Sequence, residues 1–205
     1  MSIQNETKSR QLEAIAEEIK KCRKCVLSNS RTKAVPGEGN ADSTIILIGE
    51  APGYWEDRKG RPFVGAAGKV LDEILEKVSL KRTEIFITNV LKCRPPGNRD
   101  PRSEEIQACA PFLDKQLEII KPKLIVTLGR HSTSYLFSKM NLGFDGISKV
   151  HGQIYEARFA DWKCYVIPTF HPAAALYNIN LKEKLLRDLQ TLKRKADLLK
   201  KEALD

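Results

Sequence analysis

The chain has no apolar run near the ~18 residues that a membrane-spanning helix requires. Its N-terminal stretch, MSIQNETKSRQ, is polar and holds no apolar core of the kind a secretory signal carries. No internal repeat and no low-complexity linker interrupts its 205 residues. These absences argue against a helical membrane protein, a solenoid and a string of separate modules. The expectation is a cytoplasmic protein forming one domain over residues 1–205. An N-terminal cysteine pair and a C-terminal basic helix should pack on that domain.

What is present is ordinary for a globular chain: 41% hydrophobic and 30% charged residues. The net charge of +9 is less ordinary. It favours an anionic partner, nucleic acid before a membrane surface, unless it is only a lysine-rich solvated face. Five cysteines in a reducing compartment read as thiols, metal ligands or catalytic groups rather than disulfides.

The chain is organised around Ile45 to Gly68, IILIGEAPGYWEDRKGRPFVGAAG. A short apolar strand runs into a loop rich in glycine, proline and charge, and Gly65-Ala66-Ala67-Gly68 then opens a helical pattern. A buried strand that delivers its carboxyl end into such a loop is how an open α/β sheet presents a site. A purely structural crossover is the alternative.

In chain order, residues 7 to 21 form an amphipathic helix with Leu12, Ile15, Ala16 and Ile19 on one face. Cys22 and Cys25 follow at a spacing that suits one metal centre. Residues 26 to 43 read as loop. Strands are expected at 44–48, 85–90 and 124–128. Two more, 154–159 and 163–167, are joined by a turn at Ala160-Asp161-Trp162. Helices are expected after the key loop, from Asp100-Pro101 to Pro122 with a kink at Pro111, over 131–140, and over 181–200. Cys164 lies in a strand and reads as buried and inert. Alternation of apolar strands with helices predicts an α/β fold, a three-layer αβα sandwich around a mostly parallel sheet. Glu50, Asn89 and His171 then share the carboxyl edge of that sheet.

These residues carry a resemblance. Gly49-Glu50-Ala51-Pro52-Gly53, Gly60-Arg61-Pro62-Phe63-Val64-Gly65, Thr88-Asn89 and His171-Pro172-Ala173-Ala174, with four spaced cysteines, resemble family 4 uracil-DNA glycosylases. That is the thermophile-type branch, which carries an iron–sulfur cluster. The resemblance runs from Cys22 to about Asn178. It implies a uracil-DNA glycosylase-like fold and hydrolysis of the N-glycosidic bond of deoxyuridine in DNA, the opening step of base excision repair.

Several roles follow from the resemblance. Phe63 would stack on the flipped uracil. Asn89 would read the base, accepting from N3–H and donating to O4. His171 would donate to O2 as negative charge develops on the ring. Ala51 stands where a better-known branch has a water-activating aspartate, so Glu50 becomes the nearest candidate, either for the water or as a brace of the loop. Gly53 replaces a bulky aromatic of that branch. Glu56 would fill the space and exclude a thymine methyl, unless it is a surface charge. Leu176, or else Tyr177, would enter the minor groove as a wedge. His131 and His151 match no motif and read as structural or DNA-facing.

Cys22, Cys25, Cys93 and Cys109 match the family's four ligands of a [4Fe–4S] cluster, although spacing alone also suits zinc. The expected partner is uracil-containing DNA, single- or double-stranded, met by a monomer, and no stretch establishes a sliding-clamp contact. Two rival readings stand beside this one: a glycosylase for another deaminated base such as hypoxanthine, and a non-enzymatic iron–sulfur protein that binds DNA or senses redox state.

Overall fold

The structure is a computed structural model that describes residues 3–159 and 161–202, with side chains from residue 7 onward. Its sheet has six strands: β1 (Glu38–Gly39), β2 (Ile45–Gly49), β3 (Phe86–Asn89), β4 (Leu124–Leu128), β5 (Tyr155–Phe159) and β6 (Trp162–Thr169). They lie in the order β1-β3-β2-β4-β6-β5. The inner four are parallel, and β1 and β5 are antiparallel edges.

Seven helices complete the described chain: α1 (Ile3–Lys21), α2 (Tyr54–Lys59), α3 (Ala66–Lys77), α4 (Ser103–Ile120), α5 (Arg130–Lys139), α6 (Ile147–Val150) and α7 (Ile179–Lys201). None is long and apolar enough to cross a membrane.

β2 is buried along its whole length, as its unbroken apolar run requires. Side chains alternate across a strand, so the run feeds two cores. Ile45 and Leu47 pack with Leu71 and Ile74 of α3 and with Leu189 and Leu192 of α7. Ile46 and Ile48 pack with Leu113 and Leu117 of α4 and with Leu136 and Phe137 of α5. This is the expected three-layer arrangement. Truncating a fully buried leucine such as Leu71 or Leu189 to alanine costs about 2–5 kcal/mol in such cores.

The chain leaves β2 for β3 on one side and later returns to β4 on the other. That reversal opens a crevice at the carboxyl edge of the sheet, the usual ligand position. Gly49 is in register with Asn89, and Leu128 with Thr169, so Glu50, Asn89 and His171 all leave the sheet at this edge.

Four local expectations change. The stretch 26–43 is not wholly loop, because Val26–Asn29 makes a 3₁₀ turn and Glu38–Gly39 pairs with β3. The key loop holds a helix of its own, α2, closed by Gly60 in the left-handed region at φ 73°. Asp100 does not start a helix: α4 begins three residues later, at Ser103, and runs through Pro111 as one element. Trp162, expected in the turn between the last two strands, instead opens β6 and pairs with Phe159. Asp161 follows β5 in the expected hairpin, and Ala160 lies outside the described residues.

Candidate active site

The loop after β2 closes over a cavity of about 460 Å³ at the carboxyl edge. Every residue singled out for the pocket faces it: Glu50, Ala51, Gly53, Glu56, Phe63, Asn89 and His171. Leu176 and Tyr177 lie outside its lining and are exposed, Tyr177 at 93%.

Gly49 brings the floor together. A Cβ there would collide with the Asn89 side-chain oxygen and with the Phe63 ring, so the close approach of those two groups requires glycine. Phe63 is buried and also belongs to the core beneath the pocket. Its backbone lies at φ 50°, costly for a residue with a Cβ. Arg82 holds it there, donating to the carbonyls of Pro62 at 2.8 Å and Phe63 at 3.1 Å. The Phe63 and His171 rings lie 5.7 Å apart with a tilt of 33°.

The Asn89 side-chain oxygen is buried and has no hydrogen-bond partner. A buried acceptor left empty costs about 1–3 kcal/mol, so its place in a cavity wall marks it for a ligand N–H.

His171 supplies the complementary group. Its Nδ1 accepts from the backbone N–H of Ala173 at 3.1 Å. An acceptor Nδ1 carries no proton, so the neutral ring holds its proton on Nε2 and is a donor there. Burial pushes the imidazole pKa down to about 4, against a smaller opposing pull from Glu56. The ring is therefore neutral at physiological pH.

Glu50 belongs to a group that sequence reading did not assemble. His131 Nε2 lies 3.8 Å from the Glu50 carboxylate and 3.3 Å from that of Asp100, which is itself paired with Arg130. Burial raises the Glu50 pKa; His131 pulls it down, Asp100 raises it and Arg130 lowers it. His131 thus flanks Glu50 without being one of the residues that line the cavity. The only available signal was its position just past the end of β4. His151 is structural: it meets Asp188, which also accepts from Thr169 at 2.6 Å and so ties the end of β6 to α7.

Glu56 is buried rather than a surface charge. It accepts from the backbone N–H groups of Val64 and Gly65, both at 2.8 Å, and caps α3, whose own first residues offer no side-chain cap.

Cys22 and Cys25 just after α1, Cys93 after β3 and Cys109 in α4 come from three separate stretches to line one small cavity between α1 and α4. Arg31 donates to the Cys93 sulfur at 3.0 Å and the Lys92 backbone N–H to the Cys109 sulfur at 3.1 Å. Burial pushes the Cys109 thiol up to about 12, so holding it as a thiolate calls for a cationic centre. Four cysteines around one cavity are a donor set that fits a thiolate-bound metal centre. Cys164 is buried in β6, with its thiol also pushed up to about 12 by burial, and is inert as expected.

Lys92 was not singled out in the sequence. Its side chain is fully buried and donates to Thr88 Oγ1 at 2.6 Å, the Asn89 carbonyl at 2.7 Å and Gln116 Oε1 at 2.8 Å.

Comparison with known proteins agrees with this geometry. A family model for the uracil DNA glycosylase superfamily matches residues 36–190. A type-4 uracil-DNA glycosylase of Sulfurisphaera tokodaii is 52% identical over 95% of this chain and 89% of its own length. Its counterpart from Archaeoglobus fulgidus is 48% identical over 88% and 91%, and that from Thermotoga maritima 42% identical over 91% and 95%.

Proposed function

Since the chain belongs to the uracil DNA glycosylase superfamily, with type-4 enzymes as its near relatives, we propose that it hydrolyses the N-glycosidic bond of deoxyuridine in DNA, releasing uracil and leaving an abasic site. The observation that carries this reading is the buried, unpartnered Asn89 side-chain oxygen in a cavity that the Phe63 ring and the His171 imidazole also line.

Uracil must leave the base stack to reach this pocket, and stacking on Phe63 offsets part of that cost, about 1–3 kcal/mol. The empty Asn89 oxygen takes the uracil N3–H, and the amide nitrogen donates to O4. Cytosine has no proton on N3 and carries an amine at position 4. Both contacts are then frustrated, which suffices to reject it.

As the bond to the sugar breaks, negative charge collects on the ring. The Nε2–H of His171 donates to O2 and strengthens as that charge grows, so it favours the transition state over the ground state. Glu50 acts at the sugar, positioning the attacking water and opposing the oxocarbenium charge. Among the described residues its carboxylate makes no hydrogen bond to the loop backbone, which favours this role over bracing. Glu56, fixed by two backbone N–H groups, presents a rigid wall from which a thymine methyl is excluded. Leu176 or Tyr177 fills the gap left in the stack.

Cys22, Cys25, Cys93 and Cys109 would hold a [4Fe–4S] cluster. When bound it supplies structural cross-linking, tying α1 and α4 to the segment after β3. The thiolates imply a reducing, cytoplasmic setting. The proposed partner is uracil-containing DNA, met by a monomer through a single domain.

The test is base release from a single-uracil oligonucleotide, with thymine, cytosine and hypoxanthine controls and a visible spectrum of the same sample. Release confined to uracil, with broad brown absorbance, is expected. A brown protein that binds DNA but leaves uracil in place overturns the glycosylase reading.

A further inference from the structure

Two aromatic side chains at the pocket mouth have no part in the reaction described above. Tyr54 and Trp55 open α2, line the cavity and are exposed at 43% and 55%. Their rings meet edge to face, with centroids 5.2 Å apart and planes at 82°. Large aromatics left in water beside a binding cavity call for a reason, since burying them would be favourable.

The charges around them give that reason. The Arg94 guanidinium lies 5.2 Å from the Tyr54 ring centre and that of Arg58 lies 5.4 Å from it. Arg58 also donates to the Tyr54 hydroxyl at 3.1 Å, and Arg94 to Asn98 at 2.7 Å. Among the described residues neither guanidinium is paired with a carboxylate. Tyr54 thus gathers two cations while the neighbouring indole keeps an open face. An aromatic face flanked by unneutralised arginines matches a nucleotide: the base stacks and the phosphate meets the charge.

We propose that Trp55 is a stacking subsite for an unpaired nucleobase next to the flipped uridine on the same strand, with Arg58 and Arg94 holding the adjoining phosphates. The inference rests on the reading of the cavity as a uracil pocket and extends it to the flanking nucleotide. In a single strand the neighbours of the uridine have no partner bases, so stacking on the indole replaces contacts that a duplex would supply.

The test uses the full-length protein and short single-stranded oligonucleotides. Each carries one non-hydrolysable 2′-fluoro-deoxyuridine analogue, and the flanking bases are either present or replaced by base-free tetrahydrofuran sites. The chain has two tryptophans, so a Trp162→Phe background, checked for folding by circular dichroism, leaves Trp55 as the sole indole reporter. Base-bearing flanks should quench its emission and base-free flanks should not. Trp55→Ala should bind the base-bearing strand about tenfold more weakly and the base-free strand as before. Trp55→Phe, which keeps a ring, should recover most of the loss. Equal quenching and equal affinity with and without flanking bases would overturn the proposal. Uracil release from hydrolysable strands is measured on the same preparations. Its absence counts against the glycosylase reading, whereas release with indifference to flanking bases counts against the stacking subsite alone.

Discussion

The buried amino group of Lys92 donates to the backbone carbonyl of Asn89 at 2.7 Å, from a residue whose own N–H donates to the sulfur of Cys109. One residue thus touches both the strand end that carries Asn89 and the cysteine site. Lys92→Met removes the donor from Thr88, Asn89 and Gln116 together. The expected loss is about 1–3 kcal/mol of stability for each acceptor left unsatisfied. Uracil release should also slow, because the Asn89 backbone loses its anchor. Thermal unfolding and base release of the one variant read both, and an unchanged melting temperature would refute the role.

Asn89→Ala should separate activity from stability. It removes the oxygen proposed to read N3–H, so kcat/KM for uracil is expected to fall at least 100-fold, the scale of losing a well-placed polar contact in a dry site. The same oxygen is a buried acceptor without a partner in the free protein. Its removal should leave the melting temperature unchanged or raise it. A variant that loses activity only because it unfolds would contradict this account of the site.

His171 gives a pH dependence with a definite sign. Its folded pKa, about 4, lies below the ordinary 6.5. Between those values the unfolded chain binds more protons, so stability rises with pH across this window. The contribution is complete above about pH 6.5 and is lost as pH falls toward 4, up to about 3 kcal/mol at 1.36 kcal/mol per unit. Unfolding free energies of the wild type and His171→Asn should therefore differ by a constant above pH 6.5 and by a changing amount below it. Uracil release should show no His171 titration near neutrality.

The Glu50 group predicts opposite shifts from its two neighbours. His131 lowers the Glu50 pKa and Asp100 raises it. His131→Ala should move the acidic limb of the rate profile to higher pH, and Asp100→Asn should move it to lower pH. Shifts in the same direction would show that Glu50 does not set that limb.

Much of this was legible in the sequence because the relevant physics is local. The apolar run Ile45–Ile48 announces a strand buried on both faces, and its two side-chain parities fill the two cores. Glycines and prolines at strand ends mark where backbone must turn, so Glu50, Asn89 and His171 could be placed on one edge before any fold was seen. The short helix α2 was not legible, because Gly53, Gly60 and a run of charges hide six helical residues inside a loop.

The sequence alone determined the strand order of chemistry: which residue types arrive at which strand ends, and which cysteines are available to one centre. The tertiary structure decided what those residues can do. Glu50, Asp100 and His131 meet only because the β2, β3 and β4 ends converge, and no spacing in the chain encodes that meeting. Lys92 reads as a surface lysine until the fold closes over it. The proton of His171 is assigned to Nε2 by one backbone N–H, that of Ala173, held at 3.1 Å by the turn that follows. Periodicity and propensity act between near neighbours, whereas protonation, desolvation and orphaned hydrogen-bond groups depend on what the fold brings from afar.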